Sequence, residues 1–125
     1  MPAFEGVTLT VVIVDDHAPF RSMARQLLEA GGFAVVGEAK DASSALEVVH
    51  RLHPQLVLLD VQLPDLDGLS LASRLTTEEP ETAIVLTSSR EADDYGHRVV
   101  TCGARGFITK TDLSSESVTA VLRMN

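Results

Sequence analysis

The chain has 125 residues, a formal net charge of −8, 45% hydrophobic residues, 4% aromatics and no Trp. That length suits one domain whose single core buries roughly two-thirds of the unfolded surface, with Val, Leu, Ile and Ala left to fill it. The acidic balance argues against a nucleic-acid surface, which needs clustered Lys and Arg; a single Cys excludes an internal disulfide, and no run approaches the roughly 20 apolar residues of a membrane helix.

The opening MPAFEGVTLT lacks the basic start and long apolar stretch of a signal peptide, so a soluble, cytoplasmic protein is expected, with residues 1–7 as a loose tail. Thr8 to Val14 is a β-branched apolar run that stops at Asp15-Asp16 and reads as a buried strand. Phe20, Met23, Ala24, Leu27 and Leu28 then recur at helical spacing from Ala18 to Ala30, with Pro19 in the first turn and Gly31-Gly32 as the stop. A second strand is predicted at Phe33 to Val36. Asp41 follows as N-cap of a helix whose apolar face is Ala42, Ala45, Leu46, Val49 and Leu52. The third strand, Leu56 to Leu59, leads through Asp60 into a loop with Pro64, Asp65, Asp67 and Gly68, and then a helix from about Leu69 to Thr76. Ala83 to Leu86 is the fourth strand, ending in Thr87-Ser88-Ser89. Glu91 to Thr101 reads as a weaker helix with Gly96 inside it and Tyr95, Val99 and Val100 as its apolar contacts. Gly106 to Ile108 forms the fifth strand, ending at Lys110, and Ser114 or Ser115 caps a last helix through Val118, Val121 and Leu122.

Strands alternating with helices imply an α/β fold: a doubly wound, five-stranded parallel sheet in the flavodoxin-like order 2-1-3-4-5, with helices on both faces and residues 1–125 in one domain. In such sheets ligands bind beyond the carboxyl ends of the strands, where the strand order reverses. Reading each strand at that end gives Asp15 and Asp16, Asp60, Thr87 and Lys110. Each has an ordinary reading by itself: a turn or N-cap for the Asp pair, a strand end for Thr87, a surface charge for Lys110. Convergence of all of them is what marks a site. Three carboxylates brought together repel unless cations offset them. Mg2+ suits an all-oxygen set of this kind, whereas no Cys or His stands at these ends for zinc. Asp65 and Asp67 read as turn residues, His50, His53 and His97 as structural or solvated, His17 as a neighbour of the site, and Cys102 as a small, partly buried hydrophobe near a helix end.

Four segments in order, VVIVDDH at 11–17, LVLLDVQLPDLDG at 56–68, IVLTSS at 84–89 and GARGFITK at 103–110, resemble the receiver domain of two-component response regulators over nearly the whole chain. The resemblance implies that Asp60 is a phosphoacceptor attacking a phosphohistidine of a sensor histidine kinase or phosphotransfer protein. It implies Mg2+ bound by Asp16 and Asp60, by Asp15 through a water and by the backbone carbonyl of Gln62. Lys110 is then expected to pair with Asp60 or a phosphoryl oxygen and the Thr87 hydroxyl to donate to the phosphoryl group, with Phe107 at the aromatic switch position. Two departures stand out: Thr111 follows Lys110 where many receivers have proline, and Phe107 lacks the hydroxyl of a Tyr. The implied role is a switch rather than an enzyme acting on metabolites, limited to self-phosphorylation from small donors and self-dephosphorylation.

An aspartyl-phosphate hydrolase is the competing enzyme reading, but that motif wants a second Asp where Gln62 stands. A flavodoxin-like FMN module wants a Ser/Thr/Gly-rich loop where Asp15 and Asp16 would repel phosphate. The segment GARGFITKTDLSSESVTAVL resembles receivers that precede a NarL-type helix-turn-helix output. Either the chain acts by binding another protein or an output domain lies outside these residues. A homodimer through the face of the fourth helix, fifth strand and fifth helix is a further implied partner.

Overall fold

Five apolar runs become strands β1 (Thr10–Val14), β2 (Ala34–Ala39), β3 (Leu56–Asp60), β4 (Ala83–Ser88) and β5 (Gly106–Thr109) in the computed structural model, which describes residues 8–124. The predicted tail at residues 1–7 lies outside the described residues. All strand pairs are parallel and the order is β2-β1-β3-β4-β5, as expected. Helices α1 (Ala18–Ala30), α2 (Ala42–Leu52), α3 (Gly68–Glu78) and α4 (Arg98–Thr101) lie in the four crossovers, and α5 (Ser115–Arg123) follows the last strand.

The period-2 geometry of the strands divides the core in two. Val12, Val14, Val57, Leu59, Ile84 and Leu86 point to one side and pack with Ala45, Val49, Leu71 and Leu75 of α2 and α3. Val11, Ile13, Leu56, Leu58 and Val85 point to the other and pack with Phe20, Ala24, Leu28 and Val118 of α1 and α5. Strands buried on both faces need no alternation of polar residues, which is why their sequences are continuous apolar runs.

Caps explain where the helices begin. The Asp41 carboxylate accepts from Ser44 N at 2.8 Å and that of Asp67 from Ser70 N at 2.8 Å. Of the two expected serines it is Ser114 that caps α5, accepting from Ser117 N at 2.9 Å. Asp65 is more than a turn residue: its two oxygens accept from Ala42 N at 2.8 Å and Ser43 N at 3.0 Å, so the loop after β3 is strapped to the start of α2.

The predicted helix from Glu91 to Thr101 does not form as one unit. A 3-10 turn at Ala92–Tyr95 is separated from α4 by Gly96, at φ 66° and ψ −159°, a backbone region that leaves the helical path and favours glycine. Tyr95 and Val99 do pack on the core, but Val100 is 79% exposed. Leu52 at the end of α2 is also more open than its helical position suggested, at 38%. The second strand runs past Val36 to Ala39, placing Glu38 inside it.

Candidate functional site

The chain stops being apolar at one edge of the sheet, and there the predicted polar residues meet. Asp15, directly after β1, is 0% exposed, and Asp60, the last residue of β3, is 4% exposed; Asp16 beside them faces solvent. One oxygen of each buried carboxylate is held by its own loop: Asp15 Oδ1 accepts from His17 N at 2.8 Å and Asp60 Oδ1 from Gln62 N at 3.0 Å. The other oxygens turn to Lys110, which follows β5. Its Nζ lies 2.7 Å from Asp15 Oδ2 and 3.3 Å from Asp60 Oδ2, and 4.5 Å from the centre of the Phe20 ring. Carboxylate oxygens of Asp15, Asp16 and Asp60 all come within 4.8 Å of one another.

These surroundings set the charges. Burial, joined by the negative charge of Asp15, pushes the Asp60 carboxyl up to about 6, while the Gln62 N–H and Lys110 act in the opposite sense. For Lys110 burial works against the ammonium, but the hydrogen bond to Asp15 and the charges of Asp60 and Asp15 outweigh it and raise its pKa. The site therefore holds a permanent cation beside a carboxylate that resists ionising. Such a carboxylate, once ionised, is a poorly solvated nucleophile.

Thr87 supplies the observation that tests whether a cation and a phosphoryl group fit here. It stands in register with Asp60 on the neighbouring strand, and its Oγ1 is buried with no hydrogen-bond partner. Buried hydroxyls are nearly always satisfied, and this one is free to donate to an acceptor that enters the site. Three carboxylates within reach of one another are the hard oxygen donors that suit Mg2+, and the residues present fit the group. Protons should compete for the same oxygens. Lowering the pH from 7.5 to 5 is expected to weaken Mg2+ binding, by up to roughly tenfold per unit below the Asp60 pKa; an affinity that stays level in an NMR titration with Mg2+ would contradict this account.

Gln62 is placed beside Asp60 through its N–H. Phe107 is half-buried on β5, its ring centre 6.1 Å from that of Tyr95 at an interplanar angle of 47°. The Lys110–Thr111 peptide is trans, as are all peptide bonds among the described residues. His17, His50, His53 and His97 are exposed, as read from the sequence, and Cys102 is buried more fully than its predicted partial burial.

Sequence reasoning missed three residues that bear on the site. The Tyr95 hydroxyl lies 2.6 Å from Ser88 Oγ, directly after Thr87. Arg98 donates to Asp67 Oδ1 at 3.1 Å, tying α4 to the start of α3. Arg21 donates to the Asp15 carbonyl at 2.6 Å. Each contact joins two different elements, so the periodicity within one element carried no signal for it.

Comparison with known proteins agrees with this geometry. Residues 11–122 match the family model of the response regulator receiver domain. The chain belongs to the response regulator receiver family. Among its relatives, the transcriptional regulatory protein NarL of Mycobacterium tuberculosis is 36% identical over 113 residues, covering 90% of this chain and 52% of that protein. The response regulator GacA of Pseudomonas aeruginosa is 32% identical over 114 residues, covering 90% of this chain and 53% of GacA. The solved signal receiver domain of M. tuberculosis NarL superposes with a TM-score of 0.83 at 34% identity, covering 92% of this chain and 94% of that one. A LuxR-family response regulator from Aurantimonas gives 0.83 at 28%, covering 92% and 83%. The receiver thus spans about half the length of the curated relatives it matches. Membership in this family sets aside the hydrolase and FMN readings. No helix among the described residues is long and apolar enough to cross a membrane.

Proposed function

We propose that Asp60 is the phosphoacceptor of this receiver. The observation that supports it best is the pairing of a buried Asp60, held by Lys110, with an unpartnered Thr87 hydroxyl in register beside it. An Asp60 oxygen attacks the phosphorus of a phosphohistidine on a sensor kinase or phosphotransfer protein; the O–P bond forms as the P–N bond breaks, leaving an aspartyl phosphate and a free histidine. Lys110 loses one carboxylate partner and takes a phosphoryl oxygen instead, while Thr87 donates its hydroxyl to another. Asp16 and Asp60 would hold Mg2+ directly, Asp15 through a water and Gln62 by its carbonyl; when bound, the ion neutralises phosphoryl charge.

The signal would leave the site through β4. Movement of Thr87 carries Ser88 and with it the Tyr95 hydroxyl, and Phe107 packs against the same ring. The segment from 92 to 101 borders an open cleft of about 510 Å³, lined by the loop at Gln62–Asp67 together with Tyr95 and Arg98 and bridged at one point by the Arg98–Asp67 bond. The remodelled surface of α4, β5 and α5 then engages a downstream protein, a second copy of the chain or an output domain outside these residues. Residues 1–125 act as one receiver unit, in the cytoplasm, with no metabolite substrate; any DNA binding belongs to the output.

Incubation with Mg2+ and a small phosphodonor should give one phosphoryl adduct, mapped by mass spectrometry to the peptide containing Asp60, and Asp60→Asn should give none. Beryllofluoride with Mg2+ should also change the emission of Tyr95, the chain's single Tyr in the absence of Trp. Loss of both signals in the wild-type protein would refute the reading.

A further inference from the structure

The first carbonyl after β1 is held by a side chain from the helix that follows it. Arg21 Nη1 donates to Asp15 O at 2.6 Å, and Arg21 Nε donates to Glu38 Oε1 on β2 at 3.0 Å. The second oxygen of Glu38 accepts from Arg25 Nε at 2.8 Å, so two arginines of α1 grip one carboxylate. Exposed ion pairs contribute little, but here the Arg21 and Glu38 side chains are only 19% and 29% exposed. Burial works against the Glu38 charge, yet the hydrogen bonds from Arg25 and Arg21 hold its carboxyl below the usual range.

The consequence lies in the peptide that Arg21 touches. Asp15 is fixed on its amide side, where its N–H donates to Ala39 O at 3.0 Å, and at its carboxylate by His17 N. The Asp15 carbonyl belongs to the same planar unit as the Asp16 nitrogen, because a peptide group is rigid. Holding that oxygen sets the plane from which Asp16, the solvent-facing carboxylate of the cluster, departs. We infer that Arg21, aimed by Glu38, is a positioning residue for the divalent-cation site, acting through the Asp15–Asp16 peptide. This rests on the reading of Asp15, Asp16 and Asp60 as that site.

Charge and geometry give opposite signs for this arginine, which makes the idea testable. A cation next to an acidic cluster repels Mg2+, so by Coulomb attraction alone Arg21→Met should tighten Mg2+ binding and Arg21→Lys should leave it level. If Arg21 acts by position, both variants weaken binding, since an ammonium cannot serve Asp15 O and Glu38 with the fixed fork of a guanidinium. The measurement is an NMR titration with Mg2+ alone, following the Asp16 amide, alongside thermal unfolding. Both variants are expected to raise the Mg2+ Kd about fivefold, less than the full worth of a hydrogen bond to a charged group because Arg21 acts through the peptide and not on the ion, and to shift the Asp16 amide before metal is added. Glu38→Gln should weaken binding less. If Arg21→Met does not fold, Arg21→Lys, which keeps the stem and the charge, decides the matter. Tighter binding in Arg21→Met, or an unchanged Kd in Arg21→Lys with its Asp16 amide unmoved, would overturn the inference. Wild-type protein that binds no Mg2+ would instead overturn the metal-site reading beneath it.

Discussion

Asp60→Asn is expected to make the metal-free protein more stable at pH 8, while removing the phosphoryl adduct. The Asp60 carboxyl is pushed from 3.8 to about 6 in the fold, chiefly by burial. A raised pKa means that the folded state favours the protonated form. The stability this contributes is whole below pH 3.8, is lost as the pH rises through about 6, and above that the buried carboxylate is a burden that the unfolded chain does not carry. A shift of this size corresponds to a ceiling of roughly 3 kcal/mol. The gain from Asn is smaller, because its carbonyl can accept from the Gln62 N–H or from Lys110 but its amide then faces the other donor. A net gain of about 1 to 2 kcal/mol remains, or roughly 4 to 8 °C in Tm for a domain of this size. The difference should shrink as the pH falls and close at about pH 5, below which wild type gains the advantage. Thermal unfolding of both across pH 4.5 to 8 tests this, and a variant less stable than wild type at pH 8 would show that Lys110 already compensates the Asp60 charge. The expected gain would mean that the fold carries the buried Asp60 carboxylate at a loss in stability.

Lys110 shows how much of this was readable from the residues alone. A lysine after an apolar strand, in a chain with only two lysines, could be placed at the sheet edge from strand alternation, because every strand of a doubly wound sheet ends at a known side. The same reasoning placed Asp15, Asp16, Asp60 and Thr87, and the structure brings all five to one edge. It failed where an element depends on contacts rather than periodicity. The segment from Glu91 to Thr101 has helical spacing, but Gly96 breaks it, and what anchors it instead is Tyr95 on Ser88 and Arg98 on Asp67. Asp65 was readable as turn chemistry, yet its partners are the amides of Ala42 and Ser43, more than 20 residues earlier in the chain. Local patterns fix which elements form. The polar ties between them depend on a packing geometry that no single stretch encodes.

Gly68→Ala should damage both fold and site, although alanine is the better helix former. Gly68 opens α3, is buried, and donates its N–H to Val61 O at 2.6 Å. A β-carbon built there would run into the carbonyl oxygen of Asp60 and the α-carbon of Val61, both backbone atoms that no rotamer change can clear. Either the start of α3 moves away, loosening the Gly68–Val61 bond and the Asp67 cap on Ser70, or the Asp60 peptide turns and takes the carboxylate out of reach of Lys110. Overpacking of this kind costs about 1 to 3 kcal/mol, and the weakened hydrogen bonds add about 1 kcal/mol. Because the clash falls on the Asp60 peptide itself, Mg2+ affinity and adduct formation should fall at least tenfold, roughly what a misplacement near 1 Å produces at a reacting group. Gly96→Ala separates this from a general sensitivity of glycines. No heavy atom lies within 4 Å of a β-carbon at Gly96, so only its φ of 66° is strained, at about 1 to 3 kcal/mol, and adduct formation on Asp60 should survive. Chemical denaturation with adduct measurement on both variants decides the point: a Gly68→Ala protein that is as stable as wild type and still phosphorylated would mean that the approach of α3 to Asp60 is not what holds the acceptor in place.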